Sequence, residues 1–309
     1  MSAPEPPRPI YTPPAHDGRI VPPGWLDQAP VTRMLIALNV CVFVVEVALS
    51  HDASNLPTRQ LLALGASYSF ATVGEGRYET LVTACFLHAG LIHLAFNMLA
   101  LWQAGPLVER GVGSARMAPM YLVAGVFGNL LSVLYGWLSG SGGMTVGASG
   151  AISGVIAAAL VVGWRTAGWK GPLTQAMARW LGFVVLFGVL SNMGGGHIDN
   201  AAHVGGAVAG AAIAGLWKRG YKYSSAATTG ILAACGAVVL ACIAVVVIRD
   251  RTDRFASMGA EERVEFAAEA ANDGRCGDAE EGLRAVERLR PAVRLRQEVE
   301  QGCGEMPAR

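Results

Sequence analysis

The sequence predicts an all-α integral membrane protein of seven spans with a small soluble helical tail. Three observations predict it. Only 15% of the 309 residues are charged and the mean hydropathy is +0.40, whereas soluble domains carry about 25% charge. Charge-poor apolar runs recur at 34–50, 91–108, 117–138, 149–164, 180–193, 201–217 and 226–248. The segments between them alternate in basic content, as the two faces of a multi-pass protein do.

Residues 1–33 form a Pro-rich leader (Pro4, Pro6, Pro7, Pro9, Pro13, Pro14). Its composition predicts disorder, and it lacks the layout of a cleavable signal peptide. A bilayer core of ~30 Å takes roughly 20 helical residues. The runs 149–164 and 180–193 are short enough to be buried soluble helices, and their place in the series assigns them to the membrane. Arg8, Arg19 and Arg33 precede the first span; Arg110 and Arg116 follow the second; Arg165, Lys170 and Arg179 follow the fourth; Lys218, Arg219 and Lys222 follow the sixth. Segments 139–148 and 191–200 have no Lys or Arg, and 51–90 has only Arg59 and Arg77. The positive-inside rule then puts the N-terminus in the cytoplasm and the tail outside, with a bacterial cytoplasmic membrane as the expected location. A net charge of +1 gives no electrostatic basis for a nucleic-acid partner.

Residues 34–217 hold the first six expected spans, 218–248 a linker with the seventh, and 249–309 an extracytoplasmic unit. The last region holds 11 Arg and 14 Asp or Glu, with apolar residues at helical spacing in "EERVEFAAEAAN" and "AEEGLRAVERLRPAVRLRQEVEQG". It reads as a helical hairpin. Cys276 and Cys303 are its two cysteines; an outside location permits a disulfide, and two free thiols is the other reading. Cys41, Cys85, Cys235 and Cys242 lie in or near spans, as packing residues.

Spans two, four and six run in one direction, so their N-terminal ends share a shallow layer. His93 and Asn97 in "LIHLAFNM" lie four apart, on one helical face. Ser149 opens span four, and His203 lies about one turn into span six. Polar groups in a membrane are costly and usually face a protein interior or a water-filled cavity. A serine within reach of a histidine makes a nucleophile and its base, and a helix N-terminus with Asn and His donors can stabilise an oxyanion. Each piece also has a plainer reading: Ser149 as a helix N-cap, His203 as an interfacial histidine, and His93 with Asn97 as interhelical hydrogen-bonding groups. Gly150 with Gly154, and Gly206 with Gly210, have small-xxx-small spacing. That packing would also let spans four and six approach closely. His88 and His93, five apart, are poorly spaced for shared metal ligation, and no metal or cofactor site is expected.

Across roughly residues 34–217, "TACFLHAGLIHLAFNMLALWQAGPLVERGVGS" (83–114), "GASGAISG" (147–154) and "DNAAHVGG" (199–206) together resemble the rhomboid family of intramembrane serine proteases. The resemblance implies a six-helix rhomboid bundle, with 226–248 as the extra helix of a "6+1" arrangement. It implies Ser149 as nucleophile, His203 as general base, and His93 and Asn97 in the oxyanion hole. Gly147, Gly150, Gly154, Gly205 and Gly206 would support the site, and Glu109 would anchor the opposite side. The expected reaction is hydrolysis of peptide bonds in or near transmembrane segments, with single-pass membrane proteins as substrates. The alternative is a non-catalytic relative that binds membrane helices.

Three positions depart from the family pattern. Ser153 stands where an aromatic often packs on the histidine. Glu79 and Thr80 replace a Trp-Arg pair of the first outer loop. Asp199, four before His203, admits a triad reading beside a cap for span six. His197 reads as solvent-facing, and His88 as a residue holding the first outer loop. A soluble-type nucleophile elbow needs Gly-x-Ser-x-Gly; position 151 is Ala. An inverted-repeat transporter lacks the internal repeat it would need.

Overall fold

The computed structural model describes residues 28–193, 198–217 and 223–303. Most of the Pro-rich leader, His197 and the basic cluster Lys218, Arg219 and Lys222 lie outside the described residues. The membrane helices are α1 (Pro30–Ser50), α5 (Leu91–Val112), α6 (Ser114–Ser139), α7 (Ser149–Ala167), α8 (Pro172–Met193), α9 (Asn200–Leu216) and α10 (Ser225–Thr252). Between α1 and α5 lies a folded outer loop with α2 (Thr58–Ala63), strand β1 (Ser67–Tyr68), α3 (Ser69–Gly74) and α4 (Thr80–Thr83). Strand β2 (Met144–Thr145) precedes α7, and α11 (Ala260–Asn272), α12 (Cys276–Glu287) and α13 (Val293–Cys303) form the tail.

Among the described residues, six helices are long and apolar enough to cross a membrane; α9, at 17 residues, is shorter. At 1.5 Å per residue α9 covers about 25 Å. It packs against α6, α7 and α8, with Val204 and Val208 on its exposed face. The all-α membrane bundle expected from the apolar runs is what the chain forms. The core is centred on α7, where Val155, Ile156 and Ala158 are fully buried. Lipid-facing surface falls on the outer helices, with Val44, Phe96, Phe127 and Leu186 all more than half exposed. The extra helix α10 buries only Val239 and Val246.

Three boundaries differ from the sequence reading. The leader ends earlier than residue 33, because Pro30 occupies the first turn of α1, where a missing N–H costs nothing. Helix α8 starts at Pro172 rather than 180: its polar first turns still pack, with Thr174 and Met177 buried and Thr174 Oγ1 bonded to Gly168 O at 3.0 Å. The tail is three helices rather than a hairpin. Pro291 interrupts the second helical stretch, since it lacks an N–H and disfavours helix in the preceding residue. Residues Ala267, Leu283, Val286, Leu295 and Val299 form the tail's own core, and a disulfide between Cys276 and Cys303 joins the start of α12 to the end of α13.

Candidate active site

Helix α7 begins at Ser149, after N-cap Ala148, and no side chain caps that end. The plain cap reading therefore does not describe Ser149; its half-buried hydroxyl is free for other work. The turn before it is held by Gly147, at φ +120°, whose N–H donates to Ala84 O at 2.9 Å. A Cβ on Gly147 would lie 2.7 Å from His93 Cε1, 2.8 Å from His93 Nε2 and 3.8 Å from Asn97 Nδ2. Glycine is thus required twice, by the backbone angle and by the two α5 side chains lying on the turn.

Local hydrogen bonds orient those two side chains. The Ala89 N–H donates to His93 Nδ1 at 3.4 Å, so in the neutral ring Nε2 carries the proton. That N–H faces the 147–149 turn. Asn97 is 5% exposed and donates one amide hydrogen to His93 O at 3.0 Å, which leaves the second for a ligand. The unsatisfied backbone N–H groups at the start of α7 complete a set of donors around Ser149.

His203 arrives on α9, which meets α7 backbone to backbone. A Cβ on Gly206 would fall 1.9 Å from Gly150 O, and one on Gly210 2.1 Å from Gly154 O. The small-residue rows thus bring the two helices into contact; Gly154 also meets Gly206 O there, while Gly205 packs on α6 against Phe127 O and Gly128. Among the described residues no hydrogen bond joins Ser149 to His203, and His203 Nδ1 is buried without a partner. Catalytic hydrogen bonds are often long before substrate binds.

Asp199 caps α9: Oδ1 accepts from Ala202 N–H at 2.9 Å. Its Oδ2 accepts from Ser132 Oγ at 2.5 Å and Thr145 Oγ1 at 2.9 Å; among the described residues no hydrogen bond joins the carboxylate to the His203 ring. These bonds tie the start of α9 to α6 and to the strand before Ser149. Sequence reading missed Ser132 and Thr145; a serine within an apolar span was the available signal. It also missed Glu46, an acid within the first span, fully buried and accepting from the His88 N–H at 3.1 Å. His88 itself is buried, with its ring 5.2 Å from that of His93. Ser153 is buried in α7, and a Cβ on Gly150 would lie 3.2 Å from Ala202 O, so α7 and α9 lie close beside His203.

At the far end of the bundle, Glu109 accepts from Val31 N–H, Thr32 N–H, Thr32 Oγ1 and Ser114 Oγ at 2.9, 2.7, 2.8 and 2.6 Å. It caps α1 and anchors the start of α6. Among the described residues no group of three His, Cys, Asp or Glu could hold a metal.

Fold and site together define a polytopic helical membrane protein with a serine and a histidine on adjoining glycine-packed helices. Residues 75–219 match the Rhomboid domain family. The chain is 35% identical over 196 residues to rhomboid protease GluP of Bacillus subtilis, covering 61% of this chain and 36% of that protein. It is 30% identical over 210 residues to rhomboid protease AarA of Providencia stuartii, covering 61% of this chain and 72% of that protein. A match to rhomboid-like protease 1 of Toxoplasma gondii is 28% identical over 220 residues, 68% of this chain and 72% of the relative. The chain spans about a third of the Bacillus subtilis protein's length. It belongs to the rhomboid family and is an integral, multi-pass membrane protein.

Proposed function

We propose that this chain is an intramembrane serine endopeptidase working through Ser149 and His203. The observation that carries the reading is the stacking of His93 and Asn97 on the glycine turn that presents Ser149, with the His203 helix docked directly on the Ser149 helix. Ser149 Oγ would attack a peptide carbonyl carbon while the His203 imidazole takes the hydroxyl proton. The resulting oxyanion would be met by His93 Nε2–H, an Asn97 amide N–H and the Ser149 backbone N–H. Proton return from His203 to the leaving amine breaks the C–N bond and leaves a Ser149 ester. Water, deprotonated by the same imidazole, hydrolyses it. Gly147, Gly150, Gly154, Gly205 and Gly206 hold this geometry, and Glu109 secures the opposite end.

A helix hides its carbonyls in hydrogen bonds, so substrates are single-pass membrane proteins with small or helix-weakening residues near the outer face. The names of the relatives, two of them rhomboid proteases of bacteria, support the activity; a bacterial cytoplasmic membrane is the location that goes with this reading. The basic-residue distribution supports a cytoplasmic N-terminus and a site open to the outside. An extracytoplasmic tail agrees with its disulfide, a bond favoured in oxidising compartments. Residues 34–217 act as the catalytic core, with the tail after residue 249 as an accessory unit.

The test is cleavage of a single-pass test substrate by purified protein in detergent, beside Ser149→Ala and His203→Ala. Wild type is expected to cut and both variants to lose the activity. A substrate panel left intact, with Ser149 unlabelled by a serine-directed fluorophosphonate, overturns the assignment in favour of a helix-binding relative.

A further inference from the structure

The tail is bolted to the outer loop at a point on the mechanical path to the candidate site. Arg263 is fully buried at the heart of the tail, and its guanidinium donates to Met258 O at 3.1 Å, Ala285 O at 2.9 Å and Phe255 O at 2.7 Å. Its remaining capacity goes to the Glu75 carboxylate, at 2.7 Å from Nη1 and 3.3 Å from Nη2. Glu75 lies just past α3 in the outer loop, and its side chain is only 8% exposed. Arg288 adds a bond to Glu75 Oε1 at 3.0 Å. From the end of α10, Arg249 donates to Glu75 O and Gly76 O, both at 3.3 Å, and pairs with Glu79 at 3.4 Å. Arg77 Nη1 reaches back to Ala256 O. An apolar contact of Ala71, Tyr68 and Phe70 with Ala260 and Leu289 lies beside this network.

Tyr68 belongs to β1, which pairs antiparallel with β2: Tyr68 faces Met144, and Ser67 faces Thr145. The neighbouring Ser69 N–H and Oγ both donate to Gly143 O, at 3.1 and 2.9 Å. Strand β2 ends two residues before Gly147. The tail, the loop and the Ser149 turn thus form one continuous hydrogen-bonded chain of parts.

We propose that Glu75 is a positioning residue of the peptidase. Seated in the Arg263 guanidinium, it lets the disulfide-closed tail hold the outer loop, and through the β1 and β2 pairing it fixes the turn that aims Ser149 at its oxyanion donors. This inference rests on the peptidase reading above. It assigns Glu79, where the family pattern has a different residue, to the same clamp through Arg249.

The test uses the full chain in detergent. Wild type, Glu75→Ala and Glu75→Asp are compared by hydrogen exchange and by kcat and KM for the test substrate, with kcat counted per fluorophosphonate-labelled Ser149. Glu75→Ala is expected to speed exchange of amides in 69–76 and 260–289 at least tenfold. It should lower kcat about ten- to a hundredfold, the scale of a small misplacement of reacting groups, with KM within twofold. Glu75→Asp, which keeps the carboxylate, should recover most of the rate. Faster exchange with unchanged kcat per labelled site overturns the proposal and makes the tail a passenger; unchanged exchange overturns it by removing the clamp. Should Glu75→Ala fail to fold, Arg249→Ala is read the same way: a fall in kcat at constant KM supports the clamp, and none overturns it. A wild type that neither cuts nor labels defeats the peptidase reading and the positioning role with it, while exchange separately reports whether Glu75 holds the tail.

Discussion

Replacing Gly206 by alanine places a methyl carbon 1.9 Å from the carbonyl oxygen of Gly150 and 2.7 Å from its carbonyl carbon. An ordinary C···O contact is about 3.3 Å, so α7 and α9 must part by about 1.4 Å at that level. The clash is not with the far end of a flexible side chain, because the three nearest atoms all belong to the Gly150 backbone. Overpacking of this kind costs about 1–3 kcal/mol of stability. The displacement lies one turn from His203 and next to Ser149, and a misplacement of about 1 Å can cost about a hundredfold in rate. Substrate cleavage by Gly206→Ala is therefore expected to fall about a hundredfold at a temperature where the protein remains folded. Gly182→Ala is the control: a Cβ there meets nothing within 4 Å, and removing a helical glycine is expected to be neutral or stabilising by about 0.5–1 kcal/mol. Gly206→Ala with wild-type kcat and KM would refute the assignment of the α7 and α9 contact as the element that brings Ser149 and His203 together.

Removing the second amide donor, by Asn97→Ala, is expected to lower kcat by about 10²–10³ with little change in KM; an equal rise in KM at constant kcat would place Asn97 in substrate binding instead. Asp199→Asn should retain activity within about tenfold, because the carboxylate caps α9 and bonds Ser132 and Thr145; a loss near 10⁴-fold, the scale of a disabled triad acid, would reinstate Asp199 as the third member. Opening the Cys276 to Cys303 disulfide releases a loop of sequence separation 27, worth about 3.5 kcal/mol in the chain-entropy account. Reductant should therefore lower the tail's unfolding temperature, and an unchanged melt monitored by exchange within 260–303 would contradict it.

The parts of the fold that local pattern governs were legible in the sequence. Apolar runs located each membrane helix, and α7 begins at Ser149, where the glycine-rich segment ends. Gly150 and Gly154 facing Gly206 and Gly210 could be read from their four-residue spacing, because small residues at that spacing form one groove on a helix. What escaped depends on partners far apart in the chain. Arg263 meets Glu75 across 188 positions and Asp199 meets Ser132 across 67, and no periodicity within either segment encodes the meeting. The two-residue strands β1 and β2 are too short for alternation to register. The start of α8 escaped for another reason: its first turns bury Thr174 and Met177 on one side while Arg179 follows, which breaks the apolar run without breaking the helix.

The cap that Glu109 places on α1 also bears on how the chain is assembled. The carboxylate that closes the first backbone N–H groups of α1 lies 78 residues further along, at the end of the second membrane helix. During synthesis α1 enters the bilayer with that end open, and it closes only when α5 has crossed and brought its own end to the same face. A nascent chain with α5 inserted the wrong way round would leave both the carboxylate and the N–H groups unmatched on opposite sides of the membrane. One buried acid thereby requires the N-terminal end of α1 and the C-terminal end of α5 to lie on the same face.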